Sequence, residues 1–412
     1  MMTVPACRIC FVAPTAYAPV SGREDVPFMG GAQIQQVLIA RELSRRGHKV
    51  SFINHDHGQP DGIEHEGILA WRMCSPFEGL PLLRFVHPRW TSLWRALSRA
   101  RPDVVYQRGA GAETGQVALW CRRHRRPFIF AAASNSDCDP TLPYLPRRRE
   151  RVLYRYGLYR ADRVVAQTRD QIEAFERGFG IRAVLIRSCG QDPGTPSPRD
   201  PVVAGRPSAL WVGRFSYEKR PEVMLAVARR CPEIYFDVVG AANALQAADD
   251  SIARQASRLP NVTLHGRVPH GKMAEFYARS SVLLLTSAWE GYPNTFLEAW
   301  ARGVPTVSTV DPDGVITRYG LGRVGDSAEA LAEAITHLTR DPALWRECSA
   351  RARRFFVEHH GIAAAVNAYE SLIAEVAGAG DPGRATNRAV AASMADQKVG
   401  ACHGASGRVE EA

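Results

Sequence analysis

The sequence has no apolar run of about 20 residues, the length that a membrane-spanning helix needs. It also shows no signal-peptide pattern, because the chain enters the apolar stretch Cys7–Val12 almost at once, and we predict its first strand there. We therefore expect a cytoplasmic protein. Peripheral association with the inner face of a membrane remains compatible with this pattern.

A disulfide framework is missing as well. The nine cysteines are scattered, which indicates free thiols in a reducing compartment. Cys7 and Cys10 form a C-x-x-C pair, but no second pair accompanies it. Because both lie in the predicted first strand, where cysteine behaves as a small hydrophobic residue, we expect no metal site there.

No internal repeat of solenoid length is present, and 412 residues fit two domains of ordinary size. Prolines and glycines concentrate in 188–207, which we predict to be a linker. It would join an N-terminal domain over 1–187 to a C-terminal domain over 208–360. The Gly-, Ala- and polar-rich segment 378–412 is predicted to be disordered.

The stretch Trp289–Glu298 is the centre of the functional interpretation. Before it, Ser281–Thr286 is predicted to be a buried strand; after it we predict a helix over Phe296–Arg302 and a strand over Val304–Ser308. Such a βαβ unit has parallel strands. Glu290 then follows the carboxyl end of a strand, where open α/β sheets bind ligands.

Several residues of this stretch suit an anionic ligand. Gly291 allows backbone to approach a ligand closely. Pro293 is expected to begin the helical turn, with Asn294 or Thr295 as its cap, and the free N–H groups of that turn favour an anion. Glu298 leans back toward the same place. Taken alone, a glutamate early in a helix more often only complements the helix dipole.

A second stretch favours ligand binding over this simpler interpretation. Ala209–Val212 is predicted to be a strand, and Gly213–Pro221 follows it with Arg214 and Lys219. Two cations on a loop after a strand of the same sheet suit a diphosphate, arginine by its fork and lysine as a point charge. Alone, such side chains are usually only solvated.

Together the two stretches resemble the retaining glycosyltransferases of family 4, which have the GT-B fold. The family carries Gly-Arg and a lysine after the first strand of its C-terminal domain, and two glutamates with seven residues between them. This chain has Gly213-Arg214, Lys219, Glu290-Gly291-Tyr292-Pro293 and Glu298. The resemblance is strong over 208–310 and looser elsewhere.

The resemblance implies an α/β fold of two Rossmann-like parallel-sheet domains facing each other across a cleft, with the helix 361–377 crossing back to the first domain. It implies that Arg214, Lys219 and Glu290 serve catalysis, and that Glu298 holds the ribose. The donor-binding residues it implies are Gly213, Arg214, Lys219, Gly266, Arg267, Glu290, Gly291, Tyr292, Pro293, Asn294, Thr295 and Glu298.

The N-terminal half offers acceptor-side candidates. Gly30 and Gly31 precede a helix predicted over Ile34–Arg46 and either bind a phosphate or sugar or only make a tight turn. The family has a similar glycine-rich loop, which favours binding. Arg108 ends a predicted strand over Pro102–Arg108, and the glycine-rich loop after it is a poor match to a dinucleotide fingerprint.

Many family members also have a cleft histidine after the next strand, Phe128–Ala131. This sequence has none there, so that role cannot be carried over. Ser134, Asn135 or Asp137 replaces it, or these residues simply make an Asx-type turn; the sequence leaves both open.

The net charge of +10 favours anionic partners. Arginine runs at 122–126 and 147–151 and the Trp90/Trp94 stripe of a helix within 87–101 lie in the half expected to bind acceptor. They indicate contact with an anionic membrane and a lipid-linked acceptor. The alternative is a solvated surface and an ordinary helix packed on its sheet.

The predicted function is transfer of a sugar, with retention, from a nucleoside-diphosphate sugar to a glycan or lipid-linked acceptor such as a polysaccharide precursor. Arg214, Lys219 and the helix start would stabilise the leaving diphosphate. The Asp-x-Asp of Asp137 and Asp139 lies in the other half, so we expect no metal or other cofactor. A nucleotide-sugar 2-epimerase would need a cleft histidine. A nucleic-acid-binding protein would need aromatics among the arginines, and none are visible, so no nucleic acid partner is expected.

Overall fold

The computed structural model describes residues 5–26, 30–81, 83–194, 205–241 and 251–378. The chain divides into two compact units. The first consists of residues 1–186 and 366–412, and the second of residues 187–365. The predicted disordered tail lies outside the described residues, apart from Gly378.

The first unit is built on an eight-stranded sheet in the order β3-β4-β2-β1-β5-β6-β7-β8, parallel except for the β3–β4 pair. Its strands are β1 (Arg8–Val12), β2 (Lys49–Asn54), β3 (Ile63–His65), β4 (Ile68–Arg72), β5 (Val104–Arg108), β6 (Phe128–Ala131), β7 (Arg163–Ala166) and β8 (Val184–Leu185). The order reverses between β1 and β5. The loops after these two strands therefore lie at the ligand-binding edge typical of such sheets.

The helices of this unit are α1 (Tyr17–Ser21), α2 (Gly31–Arg45), α3 (Thr91–Ala100), α4 (Ala112–His124), α5 (Arg148–Arg160) and α6 (Arg169–Phe179). A π-helical turn, Phe85–Trp90, precedes α3. In α3, Leu93 and Leu97 are buried and the Trp94 indole donates to the Gln116 carbonyl at 3.0 Å. These contacts favour the alternative of an ordinary helix packed on its sheet.

The second unit has a six-stranded, all-parallel sheet. Its strands are β9 (Ser208–Val212), β10 (Tyr235–Val239), β11 (Val262–Gly266), β12 (Val282–Leu285), β13 (Thr306–Ser308) and β14 (Gly322–Val324). The order β11-β10-β9-β12-β13-β14 is that of a Rossmann fold, with its reversal between β9 and β12. The loops after β9 and β12 are the two stretches singled out in the sequence. The sheet order makes them neighbours.

Helices cover this second sheet and continue to the end of the described chain. They are α7 (Pro221–Arg230), α8 (Ser251–Ala256), α9 (Met273–Arg279), α10 (Asn294–Trp300), α11 (Val315–Tyr319), α12 (Ala328–Arg340), α13 (Pro342–His359) and α14 (Ile362–Gly378). The boundary between the units falls inside α14, at Ala365. Within the first unit, Glu370 of α14 accepts a hydrogen bond from Arg46 at 2.6 Å, and Tyr369 lies against Tyr106.

The segment predicted as a linker is partly ordered into the second unit. Ser188, Cys189 and Gly190 are buried. Gly190 forms a parallel bridge with Gly361, and its N–H donates to the His360 carbonyl at 2.9 Å. Residues 195–204 of that segment lie outside the described residues.

Both cores are apolar, and the cysteines of the described ranges form no disulfide. Cys7 and Cys10 are buried and free, as are the other cysteines among the described residues. Burial raises the pKa of the Cys7 thiol to about 11 and that of Cys10 to about 12. Cys10 lies in β1 and Cys7 immediately precedes it, and the prediction that both are apolar core side chains is confirmed. No helix in the described ranges is long and apolar enough to cross a membrane.

Candidate functional site

Three glycines bring the carboxyl ends of β9, β10 and β11 close together. The Gly213 N–H donates to the Val239 carbonyl at 3.0 Å, and the Gly240 N–H donates to the Gly266 carbonyl at 2.8 Å. A Cβ on Gly240 would stand 1.7 Å from the Gly213 carbonyl oxygen, so no other residue fits there. Exposed backbone thus replaces side chains at this edge of the sheet.

Lys219 and Glu290 form an ion pair between the loops after β9 and β12. Their side chains are 22% and 15% exposed, so the pair is largely shielded from water. The Ser287 hydroxyl donates to the same carboxylate oxygen of Glu290 at 2.6 Å. Residues separated by about seventy positions in the chain thereby meet at the reversal point of the sheet, as the sequence interpretation requires.

A set of backbone contacts fixes the two loops to each other. The Thr286 hydroxyl donates to the Lys219 carbonyl at 2.8 Å, and the Ala288 N–H donates to the Glu218 carbonyl at 2.8 Å. Arg220 donates to the Thr286 carbonyl at 2.7 Å and to the Ser287 carbonyl at 3.2 Å. Lys219 and Glu290 are thus presented from a rigid pair of loops rather than from free ones.

Arg214 lies at the outer part of the same loop. Its guanidinium donates to Glu218 at 2.8 Å and its side chain is 48% exposed. A pair this exposed is weak, so a more highly charged ligand can take the place of Glu218. Next to it, the 81% exposed Tyr217 packs its ring near Trp289, with centroids 5.8 Å apart. An exposed aromatic pair therefore borders the two cations.

Glu298 lies on α10 and pairs with His270, which sits in a short turn after β11. The His270 Nε2 and a Glu298 oxygen are 3.2 Å apart. The hydrogen bond to Glu298 raises the pKa of His270, more than burial lowers it. A partly exposed carboxylate is thereby paired with a histidine at this edge of the sheet. Sequence reasoning missed His270, although its position after the β11 strand was a usable signal.

The start of α10 differs from the prediction. The helix covers Asn294–Trp300, and Pro293 is its N-cap in an extended conformation with ψ of 123°. Pro293 is therefore not the first helical residue, and the capping role given to Asn294 or Thr295 is wrong. Within the described ranges, the Thr295 hydroxyl oxygen is buried without a hydrogen-bond partner. The reason is that proline, which has no polar side chain, takes the N-cap position itself.

Tyr292 points away from the loop surface. It is 6% exposed, and its hydroxyl donates to His360 Nε2 at 2.8 Å. The other nitrogen, Nδ1, then carries the proton and donates to the Ser188 carbonyl at 2.7 Å. Burial lowers the pKa of His360 to about 3, so this ring is neutral. Only the backbone of Tyr292 can therefore contact a donor.

The remaining donor-side candidates lie around these groups. Gly291 and Pro293 are buried, while Arg267 is exposed just after β11. Gly266 has a φ of 65° and open space where a Cβ would stand. Residues that the sequence interpretation missed are Glu218, Arg220, Thr286, Ser287, His270 and His360.

In the first unit the corresponding edge is glycine-rich. Gly30, with a φ of 146°, is the N-cap of α2. The helix begins at Gly31, three residues earlier than predicted, and ends at Arg45. Arg108 ends β5, and its Nε is buried with no hydrogen-bond partner among the described residues. The Gly109 N–H donates to the Ala131 carbonyl at 2.9 Å, which joins the loops after β5 and β6.

Ser134, Asn135 and Asp137 form a local turn. The Asp137 carboxylate accepts hydrogen bonds from the Ala133 N–H at 2.6 Å and the Ser134 N–H at 3.2 Å. Asn135 accepts one from Gln171 at 3.1 Å. Burial raises the pKa of Asp137, and the backbone hydrogen bonds oppose that rise. These contacts favour the turn over a replacement for the missing histidine.

The described part of the chain contains no group of three His, Cys, Asp or Glu side chains placed to hold a metal ion. The two cations and two carboxylates at the edge of the second sheet can bind a charged, hydroxylated ligand.

Each unit matches a family model. Residues 199–355 match "Glycosyl transferases group 1". Residues 30–190 match "Glycosyl transferase 4-like domain". Among curated relatives, a 2-deoxystreptamine N-acetyl-D-glucosaminyltransferase of Streptomyces fradiae is 25% identical over 364 residues, covering 76% of this chain and 84% of that protein. A GDP-mannose-dependent alpha-mannosyltransferase of Mycolicibacterium smegmatis is 26% identical over 340 residues, covering 76% and 86%.

Solved structures share the fold. A sucrose-phosphate synthase of Thermosynechococcus elongatus has a TM-score of 0.73 at 21% identity, covering 89% of this chain and 98% of its own. HepE of Anabaena, in complex with UDP and glucose, has a TM-score of 0.68 at 16% identity, covering 89% and 99%. Two matching domains and this shared architecture show that the chain is a glycosyltransferase of the GT-B type.

Proposed function

We propose that the protein transfers a sugar, with retention of anomeric configuration, from a nucleoside-diphosphate sugar to a glycan or lipid-linked acceptor, as in the assembly of a polysaccharide precursor. The observation that carries this is the Lys219–Glu290 pair at the reversal point between β9 and β12. A lysine aimed at a glutamate where ligands bind in such sheets is ready to exchange that glutamate for a diphosphate.

The donor binds at the carboxyl edge of the second sheet, and each of its parts contacts particular residues. Arg214 and Lys219 hold the diphosphate, and Glu290 with the backbone from Gly291 contacts the transferred sugar. Glu298, two turns along, accepts the ribose hydroxyls. The complexes of HepE with UDP and glucose support a nucleotide sugar as donor, and the mannosyltransferase relative is named as GDP-mannose-dependent. Both bases therefore belong in the screen.

In the transfer step, the bond between the sugar C1 and the diphosphate oxygen breaks, and its electron pair stays on the diphosphate. A bond from C1 to the acceptor hydroxyl oxygen forms on the same face, and the hydroxyl proton passes to the departing diphosphate. Arg214 and Lys219 stabilise the charge that grows on the leaving group, without a metal ion. Preorganised donors of this kind lower a barrier by about 3 kcal/mol each.

The acceptor belongs with the first unit, where Gly30, Gly31 and Arg108 lie at the carboxyl edge of the sheet. A lipid-linked acceptor fits the arginine run 147–151, which is exposed over Arg147–Arg149. Such a run attracts anionic headgroups. The enzyme then works at the inner face of a membrane, which is the setting in which lipid-linked precursors are built.

Thermal-shift screening with UDP, GDP and ADP and their sugars tests the donor assignment. A ligand that binds only the native state raises the melting temperature. We expect one nucleoside diphosphate and its sugar to do so, with EDTA making no difference. A competent donor then permits a transfer assay in which NMR of the product reads the anomeric configuration. No stabilisation by any nucleotide would overturn the proposal, and inversion at C1 would overturn retention.

A further inference from the structure

Four large apolar side chains stand out in the segment between β4 and α3. Phe77, Leu80, Leu83 and Val86 are 71%, 68%, 62% and 56% exposed. They recur at every third position, and together they form the densest group of exposed large hydrophobic residues in the described chain. Soluble proteins rarely leave such a group uncovered unless it contacts a partner or a membrane.

Hydrogen bonds fix the described backbone around these residues, so the exposure is built in. The Arg84 N–H donates to the Leu80 carbonyl at 2.7 Å, and the Val86 N–H donates to the Leu83 carbonyl at 2.9 Å. Arg89 donates to the Pro76 carbonyl at 2.7 Å, which fastens the start of the segment to its end. The turns hold the four apolar side chains outward.

Arginines adjoin the apolar group. The Arg149 guanidinium lies 4.2 Å from the centre of the Phe85 ring, which joins the start of α5 to this segment. Val152, one turn further along α5, is 65% exposed. We call Phe77, Leu80, Leu83 and Val86, together with Arg147–Arg149, the apolar–arginine surface.

Basic residues outnumber acidic ones around this surface, where Glu150 pairs with Arg147 at 3.4 Å. Between Glu66 and Asp103 the only acidic residue is Glu78, while six arginines occur in the same range. The Glu78 carboxylate is engaged locally, accepting a hydrogen bond from the Ser75 N–H at 3.0 Å. An apolar protrusion with a positive rim is complementary to an anionic bilayer, where apolar side chains enter the headgroup boundary and arginines stay at the phosphates.

We propose that the apolar–arginine surface docks on anionic lipid membranes. The inference rests on the proposed function in one respect, namely that the docked face presents the first unit to a lipid-linked acceptor. It differs from the sequence-based expectation in its anchor. Trp94 is packed in the unit, and the apolar contact comes instead from Phe77, Leu80, Leu83 and Val86, which no sequence pattern singled out.

Flotation with phosphatidylcholine vesicles, with and without phosphatidylglycerol, tests the docking. The full-length protein is expected to float only with the anionic vesicles and to be released by salt. Leu80→Ser with Leu83→Ser is expected to weaken the binding by about tenfold. Replacement of Arg147, Arg148 and Arg149 by Ser should weaken the vesicle binding by about a hundredfold, at roughly fivefold per arginine.

Two matched variants separate this surface from general charge and apolarity. The first control replaces Arg122, Arg123 and Arg125 by Ser. These arginines are exposed in the other arginine run, so the variant removes the same charge. Val357→Ser removes a 52% exposed apolar side chain from the second unit. Both are expected to float like the wild type. Equal loss in either control, or wild-type flotation of both surface variants, overturns the assignment.

Two further measurements distinguish a failure of membrane docking from a failure of the proposed function. If the wild type stays in solution with anionic vesicles at low salt, docking is overturned. If sedimentation then shows a dimer that the leucine variant lacks, a second copy covers the surface instead. Stabilisation by a nucleoside diphosphate is measured on the same samples. It should be equal in all variants, and its absence from the wild type would count against the proposed function rather than the docking.

Discussion

The two sheets of this protein end in edges that look alike in sequence but differ in how their charged groups are used. In the second unit, Lys219 and Glu290 belong to loops about seventy residues apart, and Glu298 is paired with a histidine from a third loop. In the first unit, the Asp137 carboxylate binds N–H groups three and four residues before it.

The difference concerns what a ligand can displace. Side chains that pair across loops can change partners when a diphosphate or a ribose arrives, because each partner stays in place on its own element. A carboxylate that closes its own turn cannot leave without opening that turn. We therefore assign binding chemistry to Lys219, Glu290 and Glu298, and a structural role to Asp137.

The largest effect is expected from Lys219→Ala. Removal of a cation that faces the leaving group should lower kcat by about a hundredfold or more, or about 3 kcal/mol. A transfer assay with the competent donor measures it, with Lys49→Ala, an exposed lysine at the start of β2, as the matched control. Turnover within a factor of a few of wild type would remove Lys219 from the catalytic assignment.

Asp137→Ala tests the other side of the comparison. The loss of two backbone hydrogen bonds to a buried carboxylate should lower the free energy of unfolding by about 2 kcal/mol. Urea denaturation measures this, and Asp137→Asn, which keeps one acceptor oxygen, should lose less. The kcat of the folded variant should stay near wild type. An unchanged stability with a collapsed kcat would give Asp137 a direct catalytic role and break the comparison.

Tyr292→Phe tests whether a side chain of the loop after β12 stabilises the fold or contacts the ligand. Because the Tyr292 hydroxyl is the partner of buried His360, its loss should cost about 1 kcal/mol of unfolding free energy. Tyr319→Phe, on a 40% exposed ring, serves as the control and should cost little. Nucleotide affinity should be retained in both variants. A tyrosine variant that folds normally but no longer binds nucleotide would show that its hydroxyl reaches the ligand.

The smallest effect concerns pH. The Glu298 hydrogen bond raises the pKa of His270 above 6.5, so this pair stabilises the fold fully below that pH and loses its effect as pH rises through the raised value. His270 is half exposed, so the contribution is roughly 0.5 kcal/mol or less. The stability difference between wild type and His270→Ala should therefore shrink as pH rises. A difference that grows with pH would contradict the pairing.

Sequence patterns predicted much of the fold. Phe128–Ala131 was predicted with its observed bounds, because four consecutive buried apolar residues leave little ambiguity. The β3–β4 pair was missed; β3 has only three residues, and the two strands are joined by a tight turn at Glu66-Gly67. The strand β14 was missed for the same reason, as it has three residues of which only Gly322 is buried.

The site residues that belong to the recognised motifs could be predicted from the sequence, whereas the side chains that pair with them could not. Arg214, Lys219 and Glu290 lie on the loops after β9 and β12, as expected, and Glu298 lies on α10. Their partners Glu218, Ser287 and His270 were missed. Glu218 and Ser287 lie four and three residues from the side chains they contact, in loops that have no repeating pattern, and His270 reaches Glu298 from a different loop, after β11. For Asp137 the sequence left a turn and a functional role open, and its hydrogen bonds from the Ala133 and Ser134 N–H groups favour the turn.

Calorimetric titration of the stabilising nucleoside diphosphate and its sugar into wild type, Glu298→Ala and Glu290→Ala tests the central claim most directly. If Glu298 holds the ribose, its removal should weaken both ligands by about tenfold or more, as for a hydrogen-bonded charged group. Removal of Glu290 should spare the free nucleotide and weaken only the sugar donor. Equal loss of nucleotide affinity in the two variants, or no loss in Glu298→Ala, would contradict the account.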